Sequence, residues 1–170
     1  GVPKTSVNVS ARRLHDDELI KNLRQMDIKP GTVSFELVES IFLDDNDEVI
    51  TWNVNQIKEL GIDIEIDDFG TGYASIVSLM KLKPRRLKID RQLVMPIVHS
   101  AGQRQLVGSI IDIGRSLGIE VLAEGVETMQ HAKVLRQLGC NALQGYAFAK
   151  AMSADDLIGF VQSRRWRSAG

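Results

Sequence analysis

Ile64-Glu65-Ile66-Asp67-Asp68-Phe69-Gly70-Thr71-Gly72-Tyr73 sets two adjacent carboxylates at the end of a short apolar run, just before a glycine-rich turn. Ile64 and Ile66 read as strand, whereas Gly70 and Gly72 suit a turn with unusual backbone angles. The aspartates therefore sit where a strand tips into a loop, which is where α/β architectures bind ligands. Neighbouring aspartates stay buried and ionised together only when a cation or hydrogen-bond donors offset them. A turn aspartate followed by a helix cap is the simpler alternative, and this stretch alone leaves both readings open. The other strand ends decide.

Working outward, Gly61 ends an amphipathic helical stretch from about Asp47 to Leu60, and Val33 to Leu37 reads as a strand after Pro30-Gly31. The chain opens with a β-branched segment, Thr5 to Val9, and then one helical stretch, Ala11 to Met26. Beyond the aspartates the spacing predicts a helix over Ala74 to Leu82 and a strand over Arg86 to Ile89. A connection through Val94 to Val98 leads to a helix over Arg104 to Leu117 and a strand over Ile119 to Ala123. A helix over Met129 to Leu138, a strand over Ala142 to Gln144 and a helix over Ala154 to Val161 complete the chain. Ser153 and Asp156 have the spacing of a capping box at the start of that last helix. Strand–helix units in unbroken succession imply a parallel sheet with right-handed crossovers.

Polar residues end every strand: Asn8 and Ser10, Glu36 and Glu39, Asp67 and Asp68, Lys88 and Asp90, Glu124 and Glu127, then Gln144. A doubly wound sheet concentrates its site at one switch point, whereas strand ends that are polar all round suit a ring. The expected fold is α/β, a (β/α)8 TIM-type barrel truncated to about six strand–helix units, corresponding to strands 3 to 8. It falls short of a typical barrel by two strands and roughly 80 residues. No linker or low-complexity tract divides residues 1–170, so one domain is expected.

Composition is that of an ordinary globular protein, with 44% hydrophobic and 25% charged residues. A net charge of -1 gives no general attraction to DNA, RNA or an anionic membrane. Basic clusters at Lys81 to Arg86 and Arg164 to Arg167 read as solvated surface and chain end. No apolar run reaches the length of a membrane span, and a cytoplasmic location fits, with any membrane anchor supplied by other segments of a parent protein. Cys140 is the only cysteine, which excludes an internal disulfide and a cysteine metal site; it reads as a small buried residue.

The strand ends are rich in oxygen donors. Asn8, Glu36, Asp67, Asp68 and Glu124 can offer amide and carboxylate oxygens, while His15, His99 and His131 lie away from the strand ends, as surface or interhelical residues. An all-oxygen set selects Mg²⁺ or Mn²⁺, with Ca²⁺ allowed, over zinc or copper. Adjacent aspartates suit two such ions, one carboxylate shared and the other private, in the manner that activates water for in-line displacement at phosphorus. Lys88 could neutralise Asp67 or Asp68, or hold or deprotonate the attacking water. Two enzyme classes remain: metal-assisted phosphodiester hydrolysis, and proton abstraction beside a carboxylate in an enolase-like barrel.

Specific runs narrow this choice. Ser6-Val7-Asn8-Val9-Ser10, Phe35-Glu36-Leu37-Val38-Glu39-Ser40, Asp67-Asp68-Phe69-Gly70-Thr71-Gly72-Tyr73, Leu87-Lys88-Ile89-Asp90, Ala123-Glu124-Gly125-Val126-Glu127-Thr128 and Gln144-Gly145-Tyr146 resemble, in order, the motifs of the EAL-domain family. That family consists of bacterial phosphodiesterases that linearise cyclic di-GMP to pGpG on a (β/α)8-type barrel. The resemblance implies that Asn8, Glu36 and Asp67 ligate a first Mg²⁺ or Mn²⁺, and that Asp67, Asp68 and Glu124 ligate a second. It implies that Lys88 positions or activates the hydrolytic water with Asp90 beside it. Glu39 is similar to the glutamate that steadies the loop after the aspartates, a loop also used at the family's dimer contact. Glu127 and Gln144 match further active-site positions. Partners implied are cyclic di-GMP, a second copy in a homodimer, and sensory or GGDEF-type domains in the parent chain.

The chain also departs from the family pattern. The Glu-Ala-Leu signature, whose glutamate ligates the first metal, is absent, as is the arginine shortly after it that contacts substrate phosphate. Both belong upstream of Val7. Val38 stands where threonine is usual, and Ala151 replaces a common proline after Lys150. The expectation is a domain incomplete at its N-terminus, open at two sheet edges, whose isolated 170 residues turn over little substrate while the parent is an active phosphodiesterase. A non-catalytic module that binds cyclic di-GMP is the alternative.

Overall fold

The computed structural model describes residues 4–43, 48–72 and 75–163. The expected helix starts at Asp47 and Ala74, the motif residue Tyr73 and the basic run from Arg164 lie outside the described residues. The chain divides into two compact units, Gly1–Lys88 with Gly114–Glu120, and Ile89–Ile113 with Val121–Gly170.

The first unit is built from β1 (Thr5–Asn8), α1 (Ala11–Leu14), α2 (Asp17–Gln25), β2 (Val33–Val38), a 3-10 turn (Glu39–Leu43), α3 (Glu48–Glu59), β3 (Asp63–Phe69), α4 (Ile76–Leu82) and β4 (Arg86–Ile89). The single helix expected over Ala11 to Met26 is two helices. Asp16 takes an extended backbone, and its carboxylate accepts a 3.0 Å hydrogen bond from the Glu18 N–H, which caps α2. A short acidic side chain gains more at an N-cap than inside a helix, and this preference overrides the continuous apolar spacing.

Strands β1 to β4 are neighbours in chain order, and the β1–β2 and β2–β3 pairs are parallel. Their register sets Asn8 beside Glu36, Glu36 beside Glu65 and Val38 beside Asp67. Because side chains alternate along a strand, Ser6, Asn8, Ser34, Glu36, Glu65 and Asp67 share one face. Phe35, Leu37, Ile64 and Ile66 share the other. That face is the apolar core, buried along with Leu14, Val54, Ile57 and Leu79 from the helices. The glutamate and aspartate of Ile64-Glu65-Ile66-Asp67 thus stand on a polar face whose back is packed.

The basic cluster Lys81 to Arg86 is not simply solvated. Glu120, which opens β5 (Glu120–Ala123), accepts from Arg85 at 2.7 Å and from Arg86 at 3.0 Å. Arg86 also reaches Glu65, which is 1% exposed, at 3.3 Å. Lys58 donates to the carbonyls of Leu82 and Lys83 at the end of α4, and burial, with the nearby Lys83 charge second, holds its pKa below the usual lysine value. Arginine and lysine stems supply apolar cover while their heads find acceptors, so a basic run can line a packed end of a fold.

Gly61 has a φ of +79°, and a Cβ there would lie 2.6 Å from the Pro30 Cβ and 2.8 Å from the Pro30 Cα. Gly61→Ala therefore combines backbone strain with a clash, and is expected to destabilise the fold by about 2–3 kcal/mol in chemical denaturation. Gly31→Ala is the matched comparison. Its φ is +75°, but a Cβ there would meet nothing within 4 Å, so only the backbone strain should destabilise it.

The second unit comprises α5 (Arg91–Val94), a 3-10 turn (Met95–Val98), most of α6 (Ala101–Leu117), the end of β5, α7 (Met129–Leu138), β6 (Ala142–Leu143) and α8 (Ala154–Ser163). The connection expected around Val94 to Val98 is therefore helical. β5 and β6 pair in parallel, with Ala123 beside Leu143. Gln144 falls just past the strand, although its N–H still bonds the Ala123 carbonyl at 2.9 Å. The α7 boundaries are as expected, because Thr128 caps the first turn with its hydroxyl. His131 is buried between elements, 2.7 Å from Thr128 Oγ1 and 3.0 Å from the Met95 carbonyl, while His15 and His99 are exposed. The capping box at α8 is half made. The Asp156 N–H donates to Ser153 Oγ at 3.2 Å, but the short Asp156 carboxylate takes the Ser153 hydroxyl at 2.7 Å. Cys140 is half-buried rather than fully buried, and burial pushes its thiol pKa up, which keeps it protonated and unreactive. No helix among the described residues is long and apolar enough to cross a membrane.

Candidate active site

The first unit gathers charge at the C-terminal ends of β2, β3 and β4. Lys88 is 4% exposed, and its Nζ lies 3.1 Å from Glu36 Oε1 and 3.0 Å from Asp67 Oδ1. Three adjacent strands each contribute one side chain from the polar face, so the lysine bridges two carboxylates that are themselves largely shielded. A buried ammonium is tolerated only with such partners. Asn8, beside Glu36 in the register, is exposed and extends the oxygen-bearing edge.

Asp67 and Asp68 would point to opposite faces of a regular strand. Asp68 instead adopts a left-handed backbone with a φ of +55°. Its N–H donates to Asp67 Oδ1 at 3.2 Å, and carboxylate oxygens of the two residues come within 4.8 Å of each other. Aspartate enters the left-handed region more readily than most residues, but not without cost. The expected adjacency of the two carboxylates thus depends on a backbone feature that the apolar pattern of the strand does not announce.

Glu39 stands apart from this group. It is 2% exposed, and its Oε2 accepts from the Thr71 N–H at 2.8 Å, the Thr71 hydroxyl at 2.7 Å and the Gly72 N–H at 3.0 Å. One carboxylate oxygen therefore ties the turn after the aspartates to the end of β2. Glu39→Ala removes three charge-assisted bonds and is expected to loosen the turn by roughly 3 kcal/mol, which should accelerate amide hydrogen exchange at Thr71 and Gly72 about a hundredfold. Glu39→Gln should show a smaller effect in the same direction.

The second unit holds the other residues singled out in the sequence. Asp90 caps α5, its Oδ1 accepting from the Gln92 N–H at 2.6 Å. Glu124 follows β5, and its N–H bonds the Ile89 carbonyl at 3.2 Å. Glu127 pairs with Arg91, whose stem runs so close to Gly125 that a Cβ there would sit 2.3 Å from Arg91 Cγ. The Val126 N–H bonds the Gln144 carbonyl at 3.0 Å, and the Ala147 N–H bonds the Val126 carbonyl at 2.9 Å. The segment after β5 and the segment after β6 are thereby clamped together around a cavity of about 210 Å³. Two of its wall residues, Arg91 and Tyr146, had no role in the sequence reading. Tyr146 stood in a motif without a stated function, and Arg91 only follows Asp90.

Chemically, the first unit offers Asn8, Glu36, Asp67 and Asp68 as oxygen donors, with a buried ammonium already among them. That set fits a hard divalent cation bound by oxygen, and does not resemble a nitrogen or sulfur site.

The EAL domain family model matches residues 1–151. The cyclic di-GMP phosphodiesterase PdeR of Escherichia coli is 34% identical over 167 residues, covering 96% of this chain and 24% of that protein. The bifunctional diguanylate cyclase/cyclic di-GMP phosphodiesterase MucR of Pseudomonas aeruginosa is 34% identical over 160 residues, covering 92% of this chain and 23% of that protein. The chain therefore spans about a quarter of the length of these curated relatives. Among solved structures, the EAL enzyme Bd1971 in its cAMP- and cyclic di-GMP-bound form matches with a TM-score of 0.87 at 33% identity, over 93% of this chain and 43% of that one. Motif order, six parallel strands and this match agree: the chain belongs to the EAL domain family and has its α/β, TIM-type fold in truncated form.

Proposed function

We propose that this chain is the larger part of an EAL phosphodiesterase domain, extending over residues 1–170, that hydrolyses cyclic di-GMP to linear pGpG at a two-ion site. The observation that carries the reading is Lys88, buried and held 3.1 Å from Glu36 and 3.0 Å from Asp67 at the ends of three strands. In this reading Asn8, Glu36 and Asp67 hold one Mg²⁺ or Mn²⁺ ion, and Asp67, Asp68 and Glu124 hold the other. The ions would polarise the phosphodiester and lower the pKa of the attacking water.

The protein's own groups do the rest. Lys88 orients the water or takes its proton, and the paired carboxylates keep the ammonium in place until it is needed. Glu39 holds the turn that follows Asp67 and Asp68, limiting their movement. Asp90, Glu127 and Gln144 support substrate from the neighbouring strand ends. A homodimer, and sensory or GGDEF-type domains elsewhere in a cytoplasmic parent, belong to the same proposal; the name of the MucR relative describes two activities in one protein.

Incubating the full-length protein with cyclic di-GMP and Mg²⁺ or Mn²⁺, and following pGpG by chromatography, tests the reading. Metal-dependent release of pGpG is the expected result. Binding of cyclic di-GMP without release would replace the enzyme by a non-catalytic sensor.

A further inference from the structure

We propose that the cavity at the opening ends of β3 and β4, walled by Lys58, Lys83 and Arg85, binds a small organic anion with an apolar body, its carboxylate or phosphate head paired with the two lysines. The cavity measures about 720 Å³, within the range of small-molecule sites, and every residue of its wall belongs to the first unit. Asp63 opens β3 at this cavity, and Asp67 follows four residues later, about 13 Å along the strand. The cavity is therefore separate from the carboxylates and Lys88 of the candidate active site, and the inference does not depend on the reaction proposed there.

The charges of the wall do not balance. Asp63 is taken by Lys4 at 2.6 Å, and Arg85 by Glu120 at 2.7 Å. Among the described residues no carboxylate pairs with Lys58 or Lys83. Lys58 gives two of its three N–H donors to the carbonyls of Leu82 and Lys83, which leaves one. The Lys83 charge weighs on Lys58 and, after burial, helps to hold its pKa below the usual lysine value. Like charges side by side without a counter-ion are a cost to the free protein that a bound anion removes.

The backbone carries a second cost at the same place. Helices α3, α4 and α6 all end on the cavity through a left-handed residue. After α3 and α6 that residue is Gly61, with a φ of +79°, and Gly118, with a φ of +69°; after α4 it is Lys83, with a φ of +47°. Glycine takes this conformation freely and lysine does not. At one of three helix ends the cavity thus gains a cation where glycine would be the less strained stop.

The rest of the wall is largely apolar. Ile62, Ile64, Leu79 and Ile119, all buried, line it together with the exposed Met80. An inorganic ion would leave that surface to water, whereas an anion carrying an apolar body covers it as its head meets the lysines.

The test uses the full-length protein with anilinonaphthalene sulfonate, a fluorescent anion with an apolar body, displaced by octanoate, octyl phosphate, uncharged octanol or inorganic phosphate. Saturable binding is expected, displaced by octanoate or octyl phosphate at least about tenfold better than by octanol, and the stronger of the two identifies the head group. Lys83→Gly suits the left-handed backbone and so keeps the fold. It is expected to weaken both charged competitors about tenfold and leave octanol unchanged, while Lys83→Arg keeps wild-type binding. Octanol as effective as the anions, inorganic phosphate as effective as octyl phosphate, equal binding by Lys83→Gly and wild type, or no saturable binding by the wild type would each overturn the inference. Release of pGpG is measured separately, so failure of this site and failure of the proposed function are distinguishable.

Discussion

Asp67→Asn is expected to lower cyclic di-GMP hydrolysis by the full-length protein at least about a thousandfold, well beyond the 10- to 100-fold typical of losing an outer-shell metal partner. Asp67 is asked to do two things at once. In the proposed site it would offer oxygens to both ions, and its Oδ1 accepts from Lys88 at 3.0 Å and from its neighbour's N–H at 3.2 Å. Asparagine keeps the shape but has one oxygen and no charge, so it cannot serve two cations. The fold should survive, because Lys88 retains Glu36 at 3.1 Å. Steady-state rates measured across a wide range of Mn²⁺ check this: an occupancy defect recovers with added metal, whereas loss of the bridge does not. Activity within tenfold of wild type would remove Asp67 from the centre of the mechanism.

Lys88→Met is the second large effect, and it should separate charge from chemistry. Methionine fills much of the lysine stem's volume but leaves Glu36 and Asp67, 13% and 16% exposed, facing each other without a cation. Breaking such a buried arrangement costs about 3–5 kcal/mol in the metal-free protein. The same carboxylates then become a stronger cation site, because the ammonium no longer competes for their oxygens. Mg²⁺ or Mn²⁺ should therefore raise the melting temperature of the variant more than that of the wild type, while hydrolysis falls by about 10²-fold or more for want of the group proposed to handle the water proton. Equal metal-induced shifts in the two proteins would show that Lys88 does not occupy the cation's place.

Much of the architecture was legible because it is written in short-range terms. The strand Arg86–Ile89 and the helix Met129–Leu138 fall where the spacing sets them, the helix bounded by a capping threonine and a following glycine. The errors are local conflicts. Asp16 interrupts an apolar period that reads as one helix, because its carboxylate gains more as a cap. Helix α6 starts at Ala101 rather than Arg104, since the small and polar residues of its first turn carry no apolar signal.

The residues of the site divide along the same line. From its own residues the sequence determined the strand ends and the all-oxygen character of their side chains, since these depend on neighbours a few positions apart, whereas the meeting of the Asp67 and Asp68 carboxylates rests on the left-handed backbone of Asp68. Tertiary structure alone decided which charges meet. Lys88 reaches both Glu36 and Asp67 because β2, β3 and β4 are laid side by side with their polar faces in common. Glu39 holds Thr71 and Gly72, more than thirty residues away, because the turn after β3 folds back over the end of β2. Arg86, one of a run of surface-like basic residues, faces Glu65 for the same reason. Alternation along a strand says which side a residue takes, but the register and order of strands say what it finds there, and both are set by the packing of the whole apolar face.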